Sequence, residues 1–164
     1  MIRVGSVFIG FMFLFLPSFL HSTNIEADFS VEFGIVGEVG KVHATLISDT
    51  HSYVLDANVS TQGIAKAVTN NLKERHISKG HVVKGLLLTD MYQMIKSYGA
   101  YTSTTIYRVN HKTKKLTREY KKWEYDSVII HEKRALDYYG KDDMLTFFLN
   151  LPKYIKAKHR TKKY

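Results

Sequence analysis

Histidine is the residue type in this chain best suited to metal binding and to acid–base chemistry near neutral pH. Eight histidines occur, at positions 21, 43, 51, 76, 81, 111, 131 and 159. No pair has His-x-His or His-Glu-x-x-His spacing, although folding could bring His43, His51 or His81 together across strands. The spacing therefore predicts solvated or singly hydrogen-bonded histidines, with no metal site and no cofactor.

Two adjacent carboxylates, Asp142 and Asp143, could form a paired acid–base site. They stand directly before an apolar run, where a carboxylate accepts hydrogen bonds from the unpaired N–H groups of a helix start. The chain has no Gly-x-Ser-x-Gly, and its glycine pairs at 37/40 and 80/85 have the spacing of turns. The pattern predicts a helix cap at Asp142 and a protein that is not an enzyme. An envelope hydrolase with converging Ser, His and Asp is the alternative.

Basic residues are concentrated in two segments. The net charge is +9, and residues 108–122 and 153–164 each carry +6, so the rest of the chain is slightly acidic. The predicted contacts with an anionic surface are Lys112, Lys114, Lys115, Arg118, Lys156, Lys158, Arg160, Lys162 and Lys163. Lipid head groups or lipopolysaccharide would suit them, since each basic residue near a membrane adds about 1 kcal/mol. A solvated hairpin with its aromatic residues in the core is the alternative for the first segment.

The first 22 residues have the composition of a secretory signal peptide. Arg3 precedes an uncharged apolar run at residues 4–20, Pro17 interrupts the end of that run, and Ser22 is a small residue suited to cleavage. The alternative is an uncleaved anchor in the inner membrane, because 17 residues are at the short limit for a membrane span. The absence of cysteine excludes disulfides and a lipoprotein signal. The sequence thus predicts export, and the bacterial periplasm as the compartment.

The residues after the signal predict a mainly β fold with two short helices. Apolar residues alternate at residues 29–35, 39–47 and 53–59, which indicates three half-buried strands in a meander. Ile64, Val68 and Leu72 then indicate a helix capped by Ser60 or Thr61. Further strands are predicted between residues 77 and 130, with a hairpin loop at 110–113, before a last helix that Pro152 ends.

These elements predict a single β-rich domain at residues 25–151, followed by a basic tail at 152–164. Its expected architecture is α+β, with a curved antiparallel sheet or incomplete barrel packed on helices. The last helix is expected to bury an apolar face formed by Met144, Leu145, Phe148 and Leu149.

Four stretches resemble the exported bacterial family catalogued as domain of unknown function 3108: residues 33–46, 53–68, 77–85 and 142–151. The most specific marks are the glycines, a Thr-x-Gly before the first helix and a Ser-x-Gly after it. The resemblance implies a β-rich envelope protein without established catalytic residues. The chain departs from that family in lacking a proline after the Ser-x-Gly strand and further strands after the last helix. The second departure predicts an exposed sheet edge.

Export makes nucleic acid an unsuitable partner for the basic segments. The sequence instead predicts a non-catalytic envelope protein that binds a lipid-like ligand, lipopolysaccharide or another envelope protein on its curved sheet. The alternative is a structural module that docks on a membrane or partner through its basic tail. The ligand and the oligomeric state do not follow from the residues.

Overall fold

The computed structural model describes residues 22–160, with side chains up to Ile155. The predicted signal peptide and anchor therefore lie outside the described residues, apart from Ser22. Eight strands are present: β1 (Thr23–Glu32), β2 (Glu38–Ser48), β3 (Ser52–Thr61), β4 (Lys73–Val83), β5 (Leu86–Tyr98), β6 (Tyr101–Asn110), β7 (Lys115–Glu124) and β8 (Ser127–Leu136). The helices are α1 (Gly63–Val68) and α2 (Met144–Arg160), and Gly34–Val36 forms a 3₁₀ turn. Neither helix in the described part of the chain is long and apolar enough to cross a membrane.

The eight strands form one antiparallel sheet in which each strand pairs with its neighbours in the chain. The predicted fold class, mainly β with an open antiparallel sheet and two helices, is confirmed. Lys84 and Gly85 connect β4 to β5 with φ values of 52° and 76°, the backbone of a tight hairpin turn that matches strand twist. β1 and β8 lie at the two edges of the described sheet.

The helix α2 packs on one face of the sheet, which we call the inner face. The buried core on this face consists of Tyr53, Leu55 and Leu87, and Leu145 of α2 packs against it together with Leu46 and Val82. Register pairing places every second residue of each strand on the inner face. Only the centre of the face is covered, because one helix cannot span eight strands.

The expected orientation of α2 is wrong. Thr146 and Asn150 are buried against the sheet at 0% and 1% exposure, whereas Phe148 is 63% exposed. Met144 and Leu149 of the predicted apolar face are also exposed, and only Leu145 packs inward. The two polar residues are buried because each finds hydrogen-bond partners on the sheet, which apolar periodicity does not reveal.

The predicted end of α2 at Pro152 is also wrong, because the helix continues to Arg160. Proline removes one N–H from the helix and leaves the carbonyl four residues earlier without its partner. Both Pro152 and Phe148, which carries that carbonyl, are exposed. Water can therefore replace the lost hydrogen bond, so the helix is not forced to stop.

The helix α1 is shorter than predicted. Its N-cap is Gln62 rather than Ser60 or Thr61, and it ends at Val68. Asn70 and Asn71 follow with φ values of 57° and 58°, a left-handed backbone that ends a helix. Leu72 therefore lies outside α1, and the predicted apolar stripe is exposed, with Ile64 at 65% and Val68 at 79%.

The first predicted strand is present but displaced towards the N-terminus. β1 ends at Glu32, so Phe33 and Ile35 belong to the 3₁₀ region and are 70% and 106% exposed. Phe29 and Val31 point to the inner face, yet they are 57% and 47% exposed. The alternation predicted which face each residue takes, but no layer covers this edge of the sheet.

The predicted strands of the second β region fall within β4–β8, and the loop at 110–113 is a hairpin turn. Asn110 stabilises it by accepting a hydrogen bond of 2.9 Å from the Thr113 N–H. Residues 86–88 and 91–95, which lie in this predicted region, belong to one strand, β5. A bulge at Asp90 separates them: Lys79 pairs with Met91 and Gly80 pairs with Thr89.

Because Gly80 has no side chain, the backbone of β4 can approach the backbone of β5 closely at this bulge. A Cβ atom at this position would collide with the Leu88 carbonyl oxygen and lie 2.9 Å from Cε1 of Tyr53. We expect Gly80→Ala to lower the free energy of unfolding by roughly 2 kcal/mol, the scale of an overpacked site. Chemical denaturation measures this change. Gly140→Ala is the control, since its Cβ would meet only the Asp142 carbonyl oxygen at 3.6 Å; equal effects of the two substitutions would contradict the prediction.

Candidate functional site

A cavity lies on the inner face where the start of α2 meets strands β5–β7. Its volume is about 270 Å³. We call it the tyrosine cavity; its lining side chains include Tyr92, Tyr107, Tyr138, Leu116 and Met144. The strands present the first two tyrosines side by side, because Tyr92 and Tyr107 are register partners with ring centroids 6.2 Å apart. The lining is therefore mainly aromatic and aliphatic, as in sites for small organic ligands.

The Tyr92 hydroxyl at this site acts as a neutral hydrogen-bonding group. The pKa of Tyr92 is raised to about 12, mainly by burial and to a smaller extent by the nearby charges of Asp143 and Glu74. The Tyr92 hydroxyl lies 2.7 Å from Nδ1 of His76. His76 in turn contacts Glu74 at 3.0 Å, and Glu74 pairs with Lys96 at 2.7 Å. A chain of polar contacts thus runs away from the tyrosine cavity along the inner face.

Asp143 positions the helix that closes the tyrosine cavity. Its Oδ1 accepts hydrogen bonds from the Leu145 and Thr146 N–H groups at 2.7 and 3.1 Å. Its Oδ2 accepts from the Ser78 and Thr89 hydroxyls at 2.5 and 2.7 Å. The cap predicted at Asp142 is therefore at Asp143. The three-residue spacing between Asp143 and Thr146 is the sequence signal for a cap at Asp143, because an N-cap residue and the third helical residue commonly exchange hydrogen bonds.

The buried hydroxyls around Asp143 are satisfied by one another. The Tyr53 hydroxyl lies 2.9 Å from Ser78 Oγ and donates to Thr89 Oγ1 at 3.3 Å. Burial raises the pKa of Tyr53 to about 12, with smaller lowering contributions from the hydrogen bonds with Ser78 and Thr89. Ser78 is 0% exposed. The hydrogen bond that Ser78 donates to Asp143 ties α2 to the sheet. Ser78 does not line the tyrosine cavity.

Asp142 has a different role from the predicted cap. It accepts hydrogen bonds from Nδ2 of Asn150 at 2.9 Å and from the Tyr154 hydroxyl at 2.7 Å. Both carboxylates that line the tyrosine cavity are thus already engaged by α2 or the sheet. The helix contacts stabilise the negative charges, so neither carboxylate has to be neutralised by a ligand.

The four predicted basic residues whose side chains the structure describes lie in different places. Arg118 lies on the inner face beside Tyr107, its register partner, with its guanidinium 5.0 Å from the Tyr120 ring. Lys112 and Lys114 lie in the exposed turn before β7, and Lys115 points to the outer face. The structure describes side chains up to Ile155, so those of Lys156, Lys158 and Arg160 are not described. Lys162 and Lys163 lie outside the described residues.

Arg118 is the predicted residue that the fold places next to the tyrosine cavity. Its β8 partner on the same face is Arg134. Glu132 pairs with Arg118 at 3.6 Å, with 59% of the Glu132 side chain exposed. The cross-strand row from Tyr92 through Tyr107 to Arg118 and Arg134 therefore runs from aromatic to basic. Such a row suits a molecule with an apolar body and an anionic end.

A second cavity, of about 720 Å³, lies on the outer face over β1–β5. Two of its lining side chains pair with carboxylates: Arg75 binds Asp56 at 2.5 and 3.1 Å, and His43 binds Asp28 at 2.8 Å. The hydrogen bond with Asp28 is the largest cause of the raised pKa of His43. Charges of both signs therefore line this groove, and the pairs open to water contribute little energy.

The fold does not bring His43, His51 and His81 together, which was the alternative to solvated or singly hydrogen-bonded histidines. His43 lies among the outer-face carboxylates, and His51 contacts Thr50 at 2.8 Å in the turn before β3. His81 lies near neither of them and instead faces His111, with ring centroids 5.2 Å apart. The sequence gives no sign of this pairing, because 30 residues separate the two histidines and only the register of β4–β6 brings them together.

Comparison of the chain with family models, curated proteins and solved structures gave no match.

Proposed function

We propose that this chain is an exported, non-catalytic protein of the bacterial envelope that binds a lipid-like ligand in the tyrosine cavity. The single observation that carries the proposal is the aromatic lining of that cavity beside an arginine pair. The signal-like segment at residues 1–22 supports export. The resemblance to domain of unknown function 3108 supports the same compartment and remains part of the proposal.

The apolar part of the ligand would contact the tyrosine cavity and the adjoining surface of α2. Met144, which lines the cavity, is 54% exposed, and Phe147 and Phe148 beside it are 45% and 63% exposed. Contiguous exposed apolar surface of this kind is uncommon on a monomer and marks a site of interaction. Burial of that surface would contribute about 25 cal/mol for each Å² removed from water.

The polar end of the ligand would lie towards Arg118 and Arg134. Arginine suits a carboxylate or phosphate because its planar guanidinium can donate two parallel hydrogen bonds. The exposed Glu132 that now pairs with Arg118 contributes little, as pairs open to water typically do. An anionic head group could therefore replace it at small cost.

A second candidate function is docking of α2 on a membrane or an envelope partner. It corresponds to the alternative prediction of a structural module that docks through the basic tail at residues 152–164. The observation that favours it is the exposed apolar side of α2, where Ile155 is also 51% exposed. The helix continues to Arg160, so the basic residues at 156–160 follow directly from this apolar side. Apolar and basic residues on one helix are typical of binding to an anionic membrane surface.

The test is binding of fluorescently labelled palmitate, below its micelle concentration, to the purified chain. We expect Val109→Trp to weaken binding at least tenfold, because Val109 lines the cavity and an indole would fill it. Arg118→Gln is expected to weaken binding of palmitate but not of its uncharged methyl ester. Fluorescence titration gives both affinities, and circular dichroism confirms that the sheet is retained.

The matched control is Val54→Trp, which places the same side chain on the outer face at a residue 38% exposed. Equal binding by wild type and Val109→Trp would contradict the cavity as the ligand site. If Val109→Trp and Val54→Trp changed palmitate binding equally while the wild type and both variants bound anionic vesicles equally, the second function would be favoured instead.

A further inference from the structure

Three potential metal ligands converge at one end of the sheet, outside the tyrosine cavity. His81, Asp90 and His111 each offer one ligand atom, and these atoms all lie within 4.8 Å of one another. Nδ1 of His81 is 3.0 Å from each carboxylate oxygen of Asp90, and Nε2 of His111 is 3.3 Å from Oδ1. Two imidazoles therefore approach the same carboxylate from different strands.

Three separate elements hold these side chains. His81 is near the end of β4, His111 opens the turn after β6, and Asp90 is the extra residue of the β5 bulge. A bulge redirects a side chain that regular pairing would send elsewhere. Asp90 thereby reaches both histidines, which regular strand alternation would not place around one carboxylate.

We propose that His81, Asp90 and His111 form a binding site for a divalent transition-metal ion of the Zn²⁺ type. Two imidazoles and one carboxylate are a ligand set that Zn²⁺ accepts, with water in the remaining position. Tetrahedral Zn²⁺ with bonds of about 2.0–2.1 Å separates its ligand atoms by roughly 3.3 Å. The His–Asp separations of 3.0 and 3.3 Å already match that value. The two histidine nitrogens lie within 4.8 Å of each other and would approach to about 3.3 Å around a bound ion.

Tyr139 contacts the ring nitrogen of His111 that would not bind the ion. Its hydroxyl lies 2.7 Å from Nδ1 of His111, while Nε2 lies 2.8 Å from the Thr89 carbonyl oxygen. Without metal, Nε2–H donates to that carbonyl and Nδ1 accepts from Tyr139. Metal binding needs the Nε2 lone pair, so the proton moves to Nδ1, where it can be donated to the tyrosine oxygen. Tyr139 is thus a positioning residue outside the ligand set.

The accessibility of the cluster also suits an ion that enters from solution. The exposed fractions of the side chains are 39% for His81, 49% for Asp90 and 19% for His111. The bound ion would join the β4–β5 hairpin to the turn between β6 and β7. Because Asp90 follows Thr89, which lines the tyrosine cavity, the ion would also fix the backbone at the edge of that cavity.

The test is titration of the untagged chain, stripped by a chelator, with Zn²⁺ alone and with Co²⁺ alone. We expect one ion for each chain, a visible Co²⁺ absorption spectrum, and a higher melting temperature with Zn²⁺. His81→Gln, Asp90→Asn and His111→Gln should each weaken Zn²⁺ binding at least tenfold and alter the Co²⁺ spectrum. Tyr139→Phe should weaken binding about tenfold without removing the spectrum.

The matched control is His43→Gln, because His43 also contacts a carboxylate but has no second histidine beside it. It should bind Zn²⁺ as the wild type does. Absence of stoichiometric binding by the folded wild type would overturn the proposal. So would unchanged affinity in all three ligand variants, which would mean that Zn²⁺ binds elsewhere. Palmitate binding is measured in a separate experiment, so a failure of the chain to bind palmitate would not change the outcome of the Zn²⁺ titration.

Discussion

Replacement of Asp143 by alanine is expected to lower the free energy of unfolding by about 3 kcal/mol. The carboxylate caps α2 and also accepts from Ser78 and Thr89, which are 0% and 2% exposed. Loss of a cap costs about 1 kcal/mol, and each buried hydroxyl deprived of its acceptor costs about 1–3 kcal/mol. Contacts of these hydroxyls with Tyr53 and Thr146 offset part of that loss.

Chemical denaturation with an unchanged m-value would measure the effect of Asp143→Ala. Asp143→Asn should be intermediate, because the amide oxygen can still cap the helix while the amide nitrogen cannot accept from a hydroxyl. Asp126→Ala is the matched control, since Asp126 is exposed in the turn before β8. A loss below about 0.5 kcal/mol for Asp143→Ala, the range of ordinary surface substitutions, would contradict the assigned role.

Replacement of Asn150 by alanine is expected to cost about 2–3 kcal/mol. Asn150 is 1% exposed and supplies both of the hydrogen bonds that a neighbouring strand would give to Leu87. Its Oδ1 accepts from the Leu87 N–H at 3.0 Å, and its Nδ2 donates to the Leu87 carbonyl at 2.8 Å. Alanine would leave both backbone groups buried without these partners, and the Nδ2 contact with Asp142 would also be lost.

Denaturation measures the stability of Asn150→Ala, and amide hydrogen exchange reports on the backbone of Leu87 directly. The Leu87 amide should exchange faster in the variant than the free energy of global unfolding alone requires. Asn24→Ala is the control, because Asn24 is exposed on the edge strand β1. Unchanged protection of Leu87 would show that its N–H does not depend on Asn150.

The strands were predictable because their pattern is local. Alternation in residues 39–47 and 53–59 indicates which face each side chain takes, and β2 and β3 contain both stretches. The hairpin at Asn110 was predictable for the same reason, since its side chain bonds to a residue three positions later. The degree of burial was not predictable at Phe29, because exposure there depends on whether another layer covers the edge.

The helices show where local patterns fail. In α2 the apolar residues outnumber the polar ones, so periodicity alone buries Phe148. The fold instead buries Thr146 and Asn150, since Thr89 and Leu87 form hydrogen bonds with them from distant positions in the chain and Asp143 caps the helix at Thr146. A buried polar group is stable when its partners are in place, and those partners belong to β5 and to the start of the helix.

The sequence by itself determined the mainly β class, the meander of antiparallel strands and the hairpin turn at 110–113, because each depends on residues close together in the chain. The turns predicted at Gly40 and Gly80 are wrong, since these glycines lie within β2 and β4. It also identified Arg118 among the basic residues that could meet an anion. Only the tertiary structure decided that Arg118 lies beside Tyr107, that α2 turns its polar side to the sheet, and that His81, Asp90 and His111 meet. These contacts depend on register, on the bulge at Asp90 and on packing across the sheet, and such long-range pairings leave no mark in local spacing.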